Sequence, residues 1–324
     1  MKAGYAMILK PRTKPLELER LEAVQRRLHP THPRIEDIES ELNRQQAGYN
    51  GESAIDYYLT FLPSEHYTLY HNLRLHDGRH FFQIDTLLIT PHVLIILEIK
   101  NISGRLIFNS FSQLERETSE EARAFDNPID QLRRQQTQLT QFLKEHTGES
   151  FPVDGLVVMA NKNAPMKVVD NPNFDKSKIC TRTALVDRIQ KLEKSYAHHQ
   201  IPAKWLASLS PLLLKRHQEL DRDILNRHHL TYDEIIKGVQ CLKCLNFDMQ
   251  RLKQRWQCPR CAHVSRDAHH QALADYNLLI SPRITNQEGR AFLKVSSRYV
   301  TKRLLQGYAV AQKGKQSGLK YILR

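Results

Sequence analysis

Apolar positions recur at helical spacing early in the chain, at Leu16, Leu18, Leu21, Val24 and Leu28, and predict a helix there. His29-Pro30-Thr31-His32-Pro33 breaks the pattern, and a second helix is predicted over residues 35–46. A third is expected to begin after Gly51. The period then changes to two. Residues 67–75, 81–90, 92–100 and 105–108 read as β-strands. Helical spacing returns over 131–145, behind Asn127-Pro128. Residues 153–160 form an apolar run of the buried-strand type, 179–181 a short strand, and 183–196 a helix. Residues 205–227 are predicted as a helical spacer. Strands interleaved with helices predict an α/β or α+β core over 48–200, with a central mixed sheet flanked by helices.

The remaining quarter has a different rhythm. Residues 267–280 predict a helix with Leu273, Tyr276, Leu279 and Ile280 inward, ended by Pro282. Thr285 or Asn286 can cap the next helix, which runs through 295. Ser296-Ser297 then forms a turn and cap into a helix over 298–306, stopped by Gly307. Residues 308–312 and 319–323 resemble two strands joined by the basic, glycine-containing loop 313–318. Helix, helix, turn, helix and a basic two-stranded wing together resemble a winged helix-turn-helix, with 298–306 as the reading helix.

Composition sharpens this division. The chain has 324 residues and a net charge of +13, and that length suits two or three domains. Residues 241–324 carry 16 basic and 4 acidic side chains, so nearly all of the excess lies in the last quarter. Clustered Lys and Arg point to a polyanion partner, because binding them releases counterions from phosphate backbones. Arg298, Lys302 and Arg303 are available to phosphates or bases, and the wing lysines Lys313, Lys315 and Lys320 to phosphates. No run approaches the ~18 apolar residues that span a bilayer; the best, residues 93–97, stops at Glu98. The expectation is a cytoplasmic protein without a membrane segment.

Four of the five cysteines form two C-x-x-C pairs in the basic segment, Cys241/Cys244 and Cys258/Cys261, thirteen residues apart. Each pair can grip one tetrahedral Zn²⁺, and the intervening hairpin closes the site as in a zinc ribbon. A closed four-cysteine site leaves no open position, so the metal is expected to be structural.

In the first half, three acids stand out by position. Glu52 shares a helix face with Ile55 and Leu59, three and seven residues on, although an acid opening a helix can simply complement its dipole. Asp85 interrupts an apolar strand and, at period two, shares a face with Leu87 and Ile89. Glu98 and Lys100 project together from the end of the next strand. Such charge at the rim of an apolar sheet needs a partner. An ion pair with Lys100 is one; Mg²⁺, which takes hard oxygen ligands such as Asp85 and Glu98, is another. A metal there would neutralise phosphate charge and acidify a bound water.

Asp85 followed by Glu98-Ile99-Lys100 resembles the D…(D/E)-x-K signature of restriction-endonuclease-like nucleases. The order Ala47-Gly48-Tyr49-Asn50-Gly51-Glu52, Phe82-Gln83-Ile84-Asp85, Glu98-Ile99-Lys100-Asn101-Ile102-Ser103-Gly104 and Asn127-Pro128-Ile129-Asp130-Gln131 resembles the nuclease-related domain (NERD) family over roughly residues 45–200. The resemblance implies a restriction-endonuclease-like core, Mg²⁺-dependent nuclease chemistry and a bacterial source. It assigns Glu52, Asp85 and Glu98 to the acidic site, Lys100 as its lysine and Gln131 as the helix glutamine. The expected organisation is a helical leader (1–47), a nuclease-related domain (48–200), a spacer (201–240), a zinc ribbon (241–264) and a winged-helix-like DNA-binding domain (265–324). The expected activity is Mg²⁺-dependent hydrolysis of DNA phosphodiesters, the alternative a non-catalytic DNA-binding protein on a nuclease scaffold.

Overall fold

The structure, a computed structural model, describes residues 6–63, 65–109, 113–118, 122–169, 174–315 and 318–324. It divides into two units, both discontinuous in sequence: residues 1–14 with 46–220, and residues 15–45 with 221–324.

The first unit is built on a six-stranded mixed sheet. Its strands are β1 (Met7–Lys10), β2 (Thr68–His76), β3 (Phe81–Ile89), β4 (Leu94–Lys100), β8 (Val153–Met159) and β10 (Ile179–Thr181), in the spatial order β1-β2-β3-β4-β8-β10. The hairpins β2–β3 and β3–β4 are antiparallel, whereas β4, β8 and β10 run parallel. A smaller sheet, β7-β6-β5-β9, gathers β5 (Arg105–Phe108), β6 (Gln113–Glu117), β7 (Ala122–Asp126) and β9 (Met166–Val168).

Both faces of the main sheet are covered. On one, Leu73, Leu87 and Ile96 meet Leu132, Leu139 and Phe142 of α3 (Pro128–Thr147), together with Leu209 and Leu213 of α5 (Ala203–Arg216). On the other, Leu88, Ile95 and Leu97 meet Ile55 and Leu59 of α2 (Ile35–Leu59) and Leu185 and Ile189 of α4 (Leu185–Ser195). Burial on both faces accounts for the unbroken apolar run of β4. Asn127 caps α3 by accepting from the Ile129 amide, and Pro128 opens the helix, where its missing N–H costs nothing.

The second unit contains α1 (Leu16–Arg27), the start of α2, α6 (Ile224–Arg227), a three-stranded sheet of β11 (Gln250–Leu252), β12 (Arg255–Gln257) and β13 (Val264–Ser265), and a C-terminal group. That group runs α7 (His269–Leu279), β14 (Arg283–Thr285), α8 (Asn286–Leu293), α9 (Arg298–Tyr308), β15 (Ala311–Lys313) and β16 (Lys320–Ile322), with β16 between β14 and β15. Thr285 and Glu288 close a capping box at the start of α8, and Ser297 caps α9 by accepting from the Val300 amide. Arg27 sits at the centre, fully buried. It pairs with Asp275 at 2.6 Å, and the rings of Phe247 and Phe292 lie 5.1 and 4.6 Å from its guanidinium. No helix among the described residues is long and apolar enough to cross a membrane.

The structure corrects several expectations. Residues 35–59 form one 25-residue helix that runs through Gly48 and Gly51, so Glu52 lies inside it and no helix dipole terminates there. The predicted helix over 205–227 is two, α5 and α6, separated by residues 217–223. Gly307 lies within α9 and does not stop it. Strands β1, β6, β7, β9, β13 and β14 have no counterpart in the sequence pattern. In the wing loop, residues 316–317 lie outside those described. The alternation of β2 and β3 is also irregular beside Asp85. Tyr70 and Leu73, and opposite them Ile84 and Leu87, face the same core although each pair is three residues apart. The alternation therefore resets at Asn72, which adopts φ 50°, and at Asp85.

Candidate active site

The carboxylates meet where β3 and β4 part. Their pairing ends at Thr86 opposite Leu97. Beyond it Asp85 Oδ2 accepts from the Ile99 amide at 2.8 Å, so a side chain replaces the missing ladder bond. Strand β4 stays in place because β8 pairs with it as far as Lys100 opposite Met159. Glu98 is buried, 1% exposed. Its Oε1 lies 2.7 Å from Lys100 Nζ, and its Oε2 accepts from Gln135 Nε2 at 2.7 Å. Lys100 also donates to Gln131 Oε1 at 2.9 Å. Gln131 and Gln135, one turn apart on α3, thus hold the lysine and the acid respectively.

Glu52 comes from α2 on the other side of the sheet. A residue outside the predicted set governs it: Arg12 NH1 donates to Glu52 Oε2 at 2.6 Å. The same guanidinium binds Asp56 at 3.0 Å, Thr86 Oγ1 at 3.0 Å and His71 Nδ1 at 2.9 Å. Burial, with Arg12 and Lys10 nearby, pushes the His71 imidazole down to about 3, so it is neutral. Burial also raises the Glu52 carboxyl, against the pull of Arg12 and reinforced by Glu98 and Asp56. Asp85 is raised well above the ordinary aspartate range, first by desolvation and then by the negative charges of Glu98 and Glu52. The three acids therefore sense one another.

This donor set fits a hard divalent cation by its chemistry. It offers carboxylate oxygens, and a bound dication would offset the mutual repulsion with Glu98 and Glu52 that, after burial, raises Asp85. The three carboxylates do not themselves close into a cluster. Among the described residues, the group of three or more His, Cys, Asp or Glu whose ligand atoms lie within 4.8 Å of one another is Cys241, Cys244, Cys258 and Cys261. Cys241 Sγ lies 3.6 Å from Cys261 Sγ, and Cys244 Sγ 3.5 Å from Cys258 Sγ. Tetrahedral Zn²⁺ with Zn–S of ~2.3 Å requires sulfurs ~3.8 Å apart, so the cage could hold zinc. Beside it, buried Trp256 of β12 donates through Nε1 to His269 Nδ1 of α7 at 3.2 Å, which gives His269 a packing role.

The basic residues singled out in the C-terminal segment are all exposed: Arg298, Lys302 and Arg303 on α9, and Lys313, Lys315 and Lys320 on the β15–β16 hairpin. Tyr299, 74% exposed, stands among the α9 cations. Two further features escape a reading of the sequence. Arg251 of β11 has Nε and NH1 buried without a hydrogen-bond partner among the described residues, and with Arg303 it lines a cavity of about 260 Å³. Gln135 is the other, although its spacing from Gln131 is a signal that could have revealed it. Arg12 gives no signal, because an arginine behind a proline, far from any motif, looks solvated.

Residues 47–160 match the family model described as nuclease-related domain, NERD. The matched stretch includes Glu52, Asp85, Glu98, Lys100, Gln131 and Gln135, and ends at Ala160, just past β8. The chain therefore contains a nuclease-related domain with a nuclease-like fold. No curated protein and no solved structure gives a significant match.

Proposed function

We propose that this protein is a Mg²⁺-dependent nuclease that hydrolyses DNA phosphodiester bonds and is held to DNA by its basic C-terminal segment. The observation that carries the reading is the convergence of Asp85, Glu98 and Lys100 where β3 and β4 part, inside the matched nuclease-related domain. Asp85 and Glu98 would hold the metal, with Glu52 behind them. Bound there, Mg²⁺ supplies charge neutralisation at the phosphate and a more acidic water. Lys100 presents its ammonium to a non-bridging oxygen or to the attacking water. Gln131 and Gln135 fix the lysine and Glu98 in register, which limits reorganisation as charge develops. Water adds to phosphorus, one P–O ester bond breaks, and a phosphate monoester and a hydroxyl leave.

Residues 241–264 serve in this reading as a zinc ribbon and 265–324 as a winged helix. The order α7-β14-α8-α9-β15-β16, with β16 in the middle of the small sheet, supports the second assignment. The exposed α9 face and the hairpin lysines engage DNA, the lysines through phosphates. One observation favours a second reading, a non-catalytic DNA-binding protein on a nuclease scaffold: Arg12 already occupies Glu52, and the acids form no closed cage.

Cleavage of supercoiled and linear DNA by the pure protein, with and without Mg²⁺, decides between them. Mg²⁺-dependent cleavage that Asp85→Ala abolishes is expected. Tight, salt-sensitive binding with no cleavage of either form would favour the scaffold.

A further inference from the structure

The parallel strands β4, β8 and β10 end side by side at Lys100, Met159 and Thr181. Ligands of open α/β sheets gather in the crevice outside the carboxyl ends of such strands. The residues that follow these three strands share a cavity of about 290 Å³: Asn101 after β4, Asn161, Lys162 and Asn163 after β8, and Arg182 after β10. Asn50 and Gly51 of α2 close it. Gly51 is required there, since a Cβ would stand 2.3 Å from Asn101 Cβ. Asn101 is held in turn by donating to the Ala47 carbonyl at 2.8 Å.

Among the described residues, the lining includes two cations and no acid. Arg182 Nε is buried with no hydrogen-bond partner among the described residues. A buried guanidinium N–H left unsatisfied is costly unless a ligand supplies the acceptor. The cavity also borders the acidic site: Gly51 precedes Glu52, and Asn101 follows Lys100. The amides and two cations beside a carboxylate-and-lysine site suit a phosphate that is bound rather than cleaved, the amides hydrogen-bonding sugar or base edges.

We propose that this cavity is a backbone-phosphate subsite, in which Arg182 and Lys162 grip a non-scissile phosphate of the nucleic-acid strand next to the reacting one. Arg182 lies beyond residues 47–160, so the matched domain does not include it. The subsite rests on the nuclease reading for its purpose, but its occupancy does not depend on cleavage. Arg182 is a positioning residue: it sets where the strand lies.

The test uses the 324-residue protein purified with zinc, a DNA tetranucleotide as probe, and calorimetric titration without added Mg²⁺. Arg182→Gln and Lys162→Gln are each expected to weaken binding about tenfold, Arg182→Lys less, and Lys215→Gln, an exposed cation of α5 outside the cavity, not at all. Circular dichroism melts confirm that each variant is folded. In cleavage of longer DNA, Arg182→Gln should raise KM about tenfold with kcat within about twofold. Unchanged tetranucleotide affinity in a folded Arg182→Gln/Lys162→Gln double variant overturns the subsite, whether or not the wild type cleaves DNA. Displacement of the probe by equimolar inorganic phosphate overturns the assignment to a nucleic-acid backbone. Loss of affinity in the variants with no cleavage by the wild type keeps the subsite and refutes the nuclease.

Discussion

With zinc in the four-cysteine cage, as proposed, its removal should unfold the segment around it and be visible from a single side chain. Strands β11, β12 and β13 have three, three and two residues, too short to persist without a tie. Their interior is Trp256, Met249, Cys241 and Cys258, all at most 5% exposed. Structural zinc contributes on the order of 10 kcal/mol, comparable to the whole stability of a domain. Trp256 alone hides roughly 200 Å² of surface, worth about 5 kcal/mol at ~25 cal/mol per Å². Packing without the metal would have to replace twice what that indole contributes. In a Trp205→Phe background Trp256 is the sole tryptophan, so its emission reports the segment around the cysteines directly. Chelation should shift that emission to the red, release the Trp256–His269 hydrogen bond, and restore both when Zn²⁺ is returned. A blue, unshifted emission in protein shown by metal analysis to be zinc-free would refute the argument.

The acidic site makes opposite demands on stability and chemistry. Because the Asp85 carboxyl is raised, the folded protein binds its proton more readily than the unfolded chain does, and Asp85 weakens the fold as pH rises above the ordinary aspartate value. Asp85→Asn should therefore raise the melting temperature at pH 7 while abolishing cleavage; a lower melting temperature would contradict this. His71 titrates in the other sense. Between about 6.5 and about 3 only the unfolded chain takes up its proton, so stability should fall as pH drops through that window, by ~1.4 kcal/mol per pH unit at most. Urea titrations of His71→Gln should show that slope reduced. Lys100→Met leaves buried Glu98 with Gln135 but no cation. It should cost about 1–3 kcal/mol of stability, the penalty of an unsatisfied buried group, and on the order of 100-fold or more in cleavage rate. Neutralising Lys302 and Arg303 together should flatten the salt dependence of DNA binding by about 0.9 in log–log slope for each phosphate no longer neutralised; an unchanged slope would place the DNA elsewhere.

Local chemistry decides how much of this can be read from the chain. Strands β3, β4 and β8 declare themselves because burial on one or both sheet faces demands apolar runs, and Glu98 and Lys100 stand out against that background. Helix α9 is legible through Ser297, and α3 through Asn127-Pro128, because caps use few residue types. Helix α2 is not, because its glycines suggest a break; Gly51 is tolerated there since packing against Asn101 leaves no room for a side chain. The kink at Asn72 and Asp85 is invisible in the sequence, because it arises where two strands part. Arg12, Arg182 and Arg251 are illegible for a related reason: a cation's partners are chosen by tertiary contacts, not by neighbours in sequence.

The interleaving of the two units sets an order of assembly during synthesis. The buried face of helix α1 and Arg27 find their partners in α6, α7 and Asp275, some 200–250 residues later in the chain. Strand β1 and Arg12 wait only until residue 86 has been made. As the chain emerges from a ribosome, the nuclease-related unit can close first, while Leu18, Leu21 and Val24 stay uncovered until the C-terminal helices appear. A truncated product that keeps the first unit intact would still display an orphaned apolar helix. Such products are targets for chaperones and proteases, so residues 224–279 decide whether helix α1 is ever hidden.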